Sequence, residues 1–125
     1  MIKDELRYTK EHEWLRVEGG LATVGVTDFA QSELGDVVFV ELPTVGSHVS
    51  AGDSFGTIEA VKTVAELFAP VSGEVVAVNE QLEADAALVN TDCYGEGWMI
   101  QIRMSDPSEA GELLTATDYS EMIQS

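Results

Sequence analysis

The sequence predicts a mainly β fold of two facing antiparallel sheets, with a short internal helix and helical turns at the C-terminus. Three observations carry this. Short apolar and alternating runs are separated by turn residues through most of the 125-residue chain. Helix start and stop signals occur at only a few places. The middle of the chain also matches itself when slid by 33 residues, which sets Glu41 on Glu74, Leu42 on Val75, Val45 on Val78, Val49 on Leu82, Ala51 on Ala84 and Phe55 on Leu88. Such a match implies two β units about a rough two-fold axis, each covering the apolar face the other leaves open.

Taken in order, "EWLRV" and "LATVGVT" read as a hairpin turning at Glu18-Gly19-Gly20. In "TDFAQSELGD" Asp28 can cap a helix, with Gln31 three residues on, and Gly35 can end it. "VVFVELP" returns to strand and stops at Pro43. A strand-rich middle follows, punctuated at Gly46, Gly52, Gly56, Gly73, Asn79 and Gly95-Glu96-Gly97. In "SDPSEAGELL" Asp106 is the expected cap, Pro107 the first helical residue and Glu109 the partner in a capping box. A last short helix is expected from Thr117.

Composition narrows the function. A 45% hydrophobic content is enough for one core, and residues 1–125 read as a single domain. No run reaches the length of a membrane span, and "MIKDELRYTK" lacks the pattern of a secretory signal or transit peptide, so a cytoplasmic protein is expected. Twenty-three acidic residues against six basic ones give a formal charge of −17. A field of that sign repels nucleic acid and anionic lipid and favours partners with basic docking faces. The single cysteine, Cys93, cannot form an internal disulfide and is expected to pack as a small hydrophobe, and two histidines offer no metal cluster.

Only three lysines are present, and Lys62 alone lies in the middle of the chain, in "GTIEAVKTVAELFAP". A Schiff-base lysine needs burial or neighbouring cations, whereas Lys62 is flanked by Glu59 and Glu66. Catalytic triads, phosphate loops and metal motifs are lacking elsewhere in the sequence, so no enzymatic apparatus is expected. The segment joining the two units runs through "EAVKT", which puts Lys62 at a tip. The chemical use left for it is attachment: an exposed amine on a rigid turn, activated by a modifying enzyme.

Long motifs support that use. "YTKEHEWLRVEGGLATVGVTDFAQSELGDVVFVELPTVG", "GTIEAVK", "APVSGEVVAVN", "GWMIQI" and "SDPSEAGELL" resemble, in order and spacing, the glycine cleavage H-protein family over almost the whole chain. The resemblance implies a barrel-sandwich hybrid of the lipoyl-domain type, with a lipoyl group on Lys62 as its cofactor. It places Glu59 three residues before that lysine and Gly73 eleven after it, the positions tied to lipoylation recognition. Val61 and Thr63 flank the lysine where biotin carriers usually have methionines, which argues against biotin. Ala60, Thr63 and Ala65-Glu66 depart from the family's common Glu-Ser-Val-Lys-Ala and following Ser-Asp.

The implied protein is a non-catalytic, monomeric carrier. It would take an aminomethyl group from a glycine decarboxylase, pass it through an aminomethyltransferase, and be reoxidised by a dihydrolipoyl dehydrogenase. A lipoyl ligase or lipoyl/octanoyl transferase would install the arm. A stand-alone lipoate carrier feeding other complexes is the alternative. A loaded arm also needs shelter from water, and Glu13 in "EHEW" is the expected acidic acceptor, with Glu33 as a second candidate and Trp14 and Phe29 near the wall.

Overall fold

Residues 5–124, described by a computed structural model, realise this alternation in nine strands and five short helices. Lys3 lies outside the described residues. The order is β1 (Arg7–Tyr8), β2 (Glu13–Glu18), β3 (Leu21–Val26), α1 (Asp28–Leu34), β4 (Val37–Glu41), β5 (His48–Val49), β6 (Ser54–Ala60), β7 (Val64–Phe68), β8 (Gly73–Val78), α2 (Gln81–Ala84), α3 (Leu88–Thr91), β9 (Ile100–Met104), α4 (Ser108–Gly111) and α5 (Ala116–Gln124). One sheet has the strand order β1-β2-β3-β9-β8-β5 and the other β4-β6-β7, with antiparallel pairing throughout. Their inner faces share one core, in which Val24, Val75, Ile100 and Ile102 of the larger sheet pack with Val40, Ile58 and Leu67 of the smaller.

The β2–β3 hairpin turns where its glycines predict, between Glu18 and its partner Leu21, with Gly19 at φ +64°. The first helix also forms as expected, but Thr27 is its cap: the Thr27 hydroxyl accepts from the Ala30 N–H at 3.2 Å, while Asp28 opens the first turn and accepts from Gln31 Nε2 at 2.9 Å. Both residues suit a cap, and the extended backbone of Thr27 decides between them. Gly35 ends the helix at φ +80°.

The capping box expected in "SDPSEAGELL" does not close. Asp106 accepts from the backbone and hydroxyl of Ser108, but Glu109 turns away to take the N–H and hydroxyl of Ser72. The 33-residue match likewise does not set strand on strand throughout. It pairs Val49 of β5 with Leu82 of α2 and Phe55 of β6 with Leu88 of α3, so apolar positions are kept where the second unit uses helical turns. Asn79, read as punctuation, is a buried clamp whose amide donates to the carbonyls of Glu96 and Trp98, each at 2.7 Å.

A second cluster docks the C-terminus. Tyr119 of α5 stacks on Tyr8 at 4.7 Å between centroids, with Leu6, Trp14 and Ala116 around them.

Candidate functional site

Lys62 is exposed in the tight connection between β6 and β7, where the Ala60 N–H donates to the Thr63 carbonyl at 2.8 Å. The tip is anchored from behind. The Val61 N–H donates to the Asp36 carbonyl at 2.9 Å, and the Asn90 amide on α3 grips the flanking residues by donating to the Gly35 carbonyl and accepting from the Val37 N–H. The lysine stem crosses the end of α1, so close that a Cβ on Gly35 would lie 3.4 Å from Lys62 Cε. Among the described residues no ion pair holds its amine.

Beside this tip runs a cleft of about 270 Å³ between β7 and the β2–α1 region. Val26, Phe29, Ile58 and Leu67 give it apolar walls, while Glu11, Glu13, Glu33 and Glu66 make it acidic. β7 is an edge strand, and Glu13 takes the N–H that a further strand would otherwise bind: Glu13 Oε2 accepts from Phe68 N–H at 2.7 Å. Thr9 Oγ1 lies 3.4 Å from the other oxygen.

Only 2% of Glu13 is exposed. Burial raises its carboxyl to about 8; the Phe68 N–H pulls the other way, Glu11 adds to the rise and Thr9 opposes it. That rise favours the protonated acid at neutral pH, and a cation beside it would favour the carboxylate.

His12, at φ +69°, forms the neighbouring wall, its ring 4.7 Å from that of Phe29 and its Nδ1 2.8 Å from the Tyr119 hydroxyl. Burial lowers its pKa, against the pull of Glu11 and Glu33.

Of the residues singled out in the sequence, Glu13, Glu33 and Phe29 meet in this one cleft. Trp14 does not. Adjacent strand residues face opposite ways, so Trp14 points into the second cluster, where its Nε1 donates to the Cys93 carbonyl at 2.9 Å and its ring lies over Gly25. Glu59 is exposed on β6, opposite Phe39 and Val64. Gly73 begins β8, where a side chain would run into the Arg103 carbonyl and Ile102, so the sheet itself requires a glycine there. Cys93 is buried, and burial raises its thiol to about 11. Sequence reasoning missed the part that Glu11, His12 and Glu66 play in the cleft. The alternation in "TVAELF" puts Glu66 on the strand beside the lysine, but the partner wall is formed by residues 32 to 55 positions before it.

Comparison with known proteins agrees with this architecture. The glycine cleavage H-protein family profile matches residues 6–125. The chain is 58% identical over 122 residues to the glycine cleavage system H protein of Anoxybacillus flavithermus, covering 98% of this chain and 96% of that one. It is 50% identical over 124 residues to the H protein of Carboxydothermus hydrogenoformans, covering 99% and 95%. The crystal structure of an H protein from Mycobacterium marinum superposes with a TM-score of 0.91 at 42% identity, over 99% of this chain and all of that one. No described helix is long and apolar enough to cross a membrane.

Proposed function

This chain belongs to the glycine cleavage H-protein family, the lipoyl carriers of the glycine cleavage system, and from that premise we propose that Lys62 bears the lipoyl group and that the acidic cleft shelters the loaded arm. The observation that carries the reading is the exposed Lys62, whose stem packs against Gly35 next to Leu34 in the wall of an apolar, acid-lined cleft. A lipoyl group on Lys62, installed by a ligase or an octanoyl-transfer route, would supply the disulfide chemistry for carrying an aminomethyl group between glycine decarboxylase, aminomethyltransferase and dihydrolipoyl dehydrogenase. The relay alternative is not favoured, since the relatives are named for glycine cleavage.

The residues present fit such an arm. A lysine with an eight-carbon acyl chain reaches roughly 15 Å. β7 starts beside the tip at Val64, and at about 3.3 Å per residue Leu67 lies roughly 10 Å further along it, within that reach. Val26, Phe29, Ile58 and Leu67 suit the hydrocarbon, and Glu13 with Glu66 suits a cationic end. Glu33, two residues before the Gly35 that Lys62 crosses, sits nearer the attachment end, which ranks it below Glu13 as the acceptor. A free amine entering beside Glu13 would take the proton from that buried acid, and the resulting ammonium and carboxylate would form a charge-assisted hydrogen bond in a largely buried site.

Spontaneous ammonia release from the loaded protein tests this. Glu13→Gln should release ammonia at least about tenfold faster than wild type, the lower end of what a charge-assisted bond contributes, and Glu33→Gln less than that. Equal rates in all three proteins would remove both carboxylates from the protective role.

A further inference from the structure

The hairpin tip carries an apolar surface that the cleft does not use. Among the described residues six large hydrophobic side chains are exposed, and four of them gather here: Val61 at 74%, Val64 at 61%, Val38 at 56% and Phe39 at 48%. Register explains how. Phe39, Glu59 and Val64 are successive partners across β4, β6 and β7, so they share one face of the sheet, while Val40, Ile58 and Ala65 form the row turned towards the core. An irregularity in β4 between Val37 and Phe39 breaks the alternation and leaves both Val38 and Phe39 outward. Glu41 and Glu66 are the outer members of the next row, so carboxylates border the patch, with Glu59 inside it. Apolar exposure concentrated in this way marks a surface that another molecule covers.

Reach decides which molecule. Enzymes that work at the far end of the arm meet it roughly 15 Å from Lys62 and need not touch this tip. The enzyme that acylates the lysine has no such freedom, because its acyl donor must come within about 3 Å of Nζ. In that reaction the ammonium first loses a proton. The free amine attacks the carbonyl carbon of an activated lipoyl ester, anhydride or thioester. A C–N bond forms, the bond to the leaving group breaks and the leaving group departs as an anion. A second proton is then lost, leaving the amide.

Resting on the assignment of Lys62 as the attachment point, we propose that Val38, Phe39, Val61 and Val64 are the docking face for the lipoylating enzyme, whose complementary surface is apolar at its centre and basic where it meets Glu41, Glu59 and Glu66. The arm's later partners do not need this face. The patch therefore controls installation of the arm and is dispensable for its use.

The test uses a purified lipoate–protein ligase with ATP and lipoic acid, following intact mass at subsaturating carrier. Val→Thr keeps shape and strand preference while removing apolar surface. A Phe39→Thr/Val61→Thr/Val64→Thr variant that melts like wild type should be acylated about tenfold more slowly, through a raised KM. The single Val64→Thr variant should be intermediate. After being driven to complete modification, both should accept the aminomethyl group from the decarboxylase within about twofold of the wild-type rate. Wild-type acylation rates in the triple variant would overturn the proposal, as would a parallel fall in acylation and aminomethyl transfer, or a concentration-dependent dimer of the wild type that the triple variant abolishes. Failure of wild-type Lys62 to be acylated would instead sink the attachment assignment, and with it the docking face.

Discussion

At the scale of single residues, the informative one is Glu13, a nearly inaccessible carboxyl on a protein with more than enough exposed ones. Its position follows from period-2 alternation: Trp14 fills the second cluster, so its neighbour must face the first core and the open edge of β7. Stability should record this. An acid raised from 4.5 to about 8 holds its proton in the folded state between those values, where the unfolded chain has lost it. The folded state is thus penalised progressively as pH rises from about 4.5, and the penalty levels off above about 8. Glu13→Gln, which can still accept from Phe68 N–H, should remove that slope. Urea unfolding of the two proteins between pH 5 and pH 9 should show the variant gaining on wild type with pH, by roughly 3–5 kcal/mol at most. Parallel pH profiles would mean that Glu13 is ionised in the resting protein. The sequence pointed to Glu13 and Glu33 through charge and neighbourhood, but nothing local pairs Glu13 with Phe68, 55 positions away, and the misplaced Trp14 shows what ignoring alternation costs.

Among the elements, α1 and α5 hold the wall of the cleft together. The Tyr119 hydroxyl is buried between Thr27 Oγ1 at 2.7 Å and His12 Nδ1 at 2.8 Å, so the C-terminal helix supports both the cap of α1 and the residue at positive φ beside Phe29. Thr27→Ala removes the cap and should cost about 1–2 kcal/mol. Tyr119→Phe strips the shared partner and should cost about 1–3 kcal/mol. Because both act on one network, the double variant should lose less than the sum of the two, which urea midpoints will measure. Strict additivity would mean that α5 and α1 are held independently. Elements with local chemistry were legible in advance: the Gly19-Gly20 turn, the α1 stop at Gly35 and the strand before Pro43. The four-residue helices α2 and α3 were not, because a single turn has no periodicity to read and their anchors, Asn79 and Asn90, look like ordinary turn residues. The outward turn of Val38 and Phe39 was equally hidden, since "VVFVE" reads as a simple buried strand until its register is known.

For the molecule as a whole, the charge of −17 is expected to steer the carrier towards basic docking faces. Aminomethyl transfer from the decarboxylase at subsaturating carrier should slow several-fold as added salt shrinks the Debye length from about 30 Å to about 10 Å, with kcat nearly unchanged. Flat rates across that range would leave the acidity to solubility alone. Two sheets around one core support the β6–β7 tip, and the same packing leaves the cleft beside it, so the proposed attachment point and the proposed shelter come from one fold. That architecture was readable from alternation, turn residues and family motifs together, whereas the cleft required the two sheets to be set face to face. On this reading the fold presents a single modified amine, that of Lys62. Peptide mass mapping of the protein isolated from its native cell tests it most directly: one lipoyl amide should be found, on the peptide containing Lys62, and Lys62→Arg should carry none while melting as wild type does. A lipoyl group on Lys3 or Lys10, or full glycine-cleavage activity in the Arg variant, would contradict it.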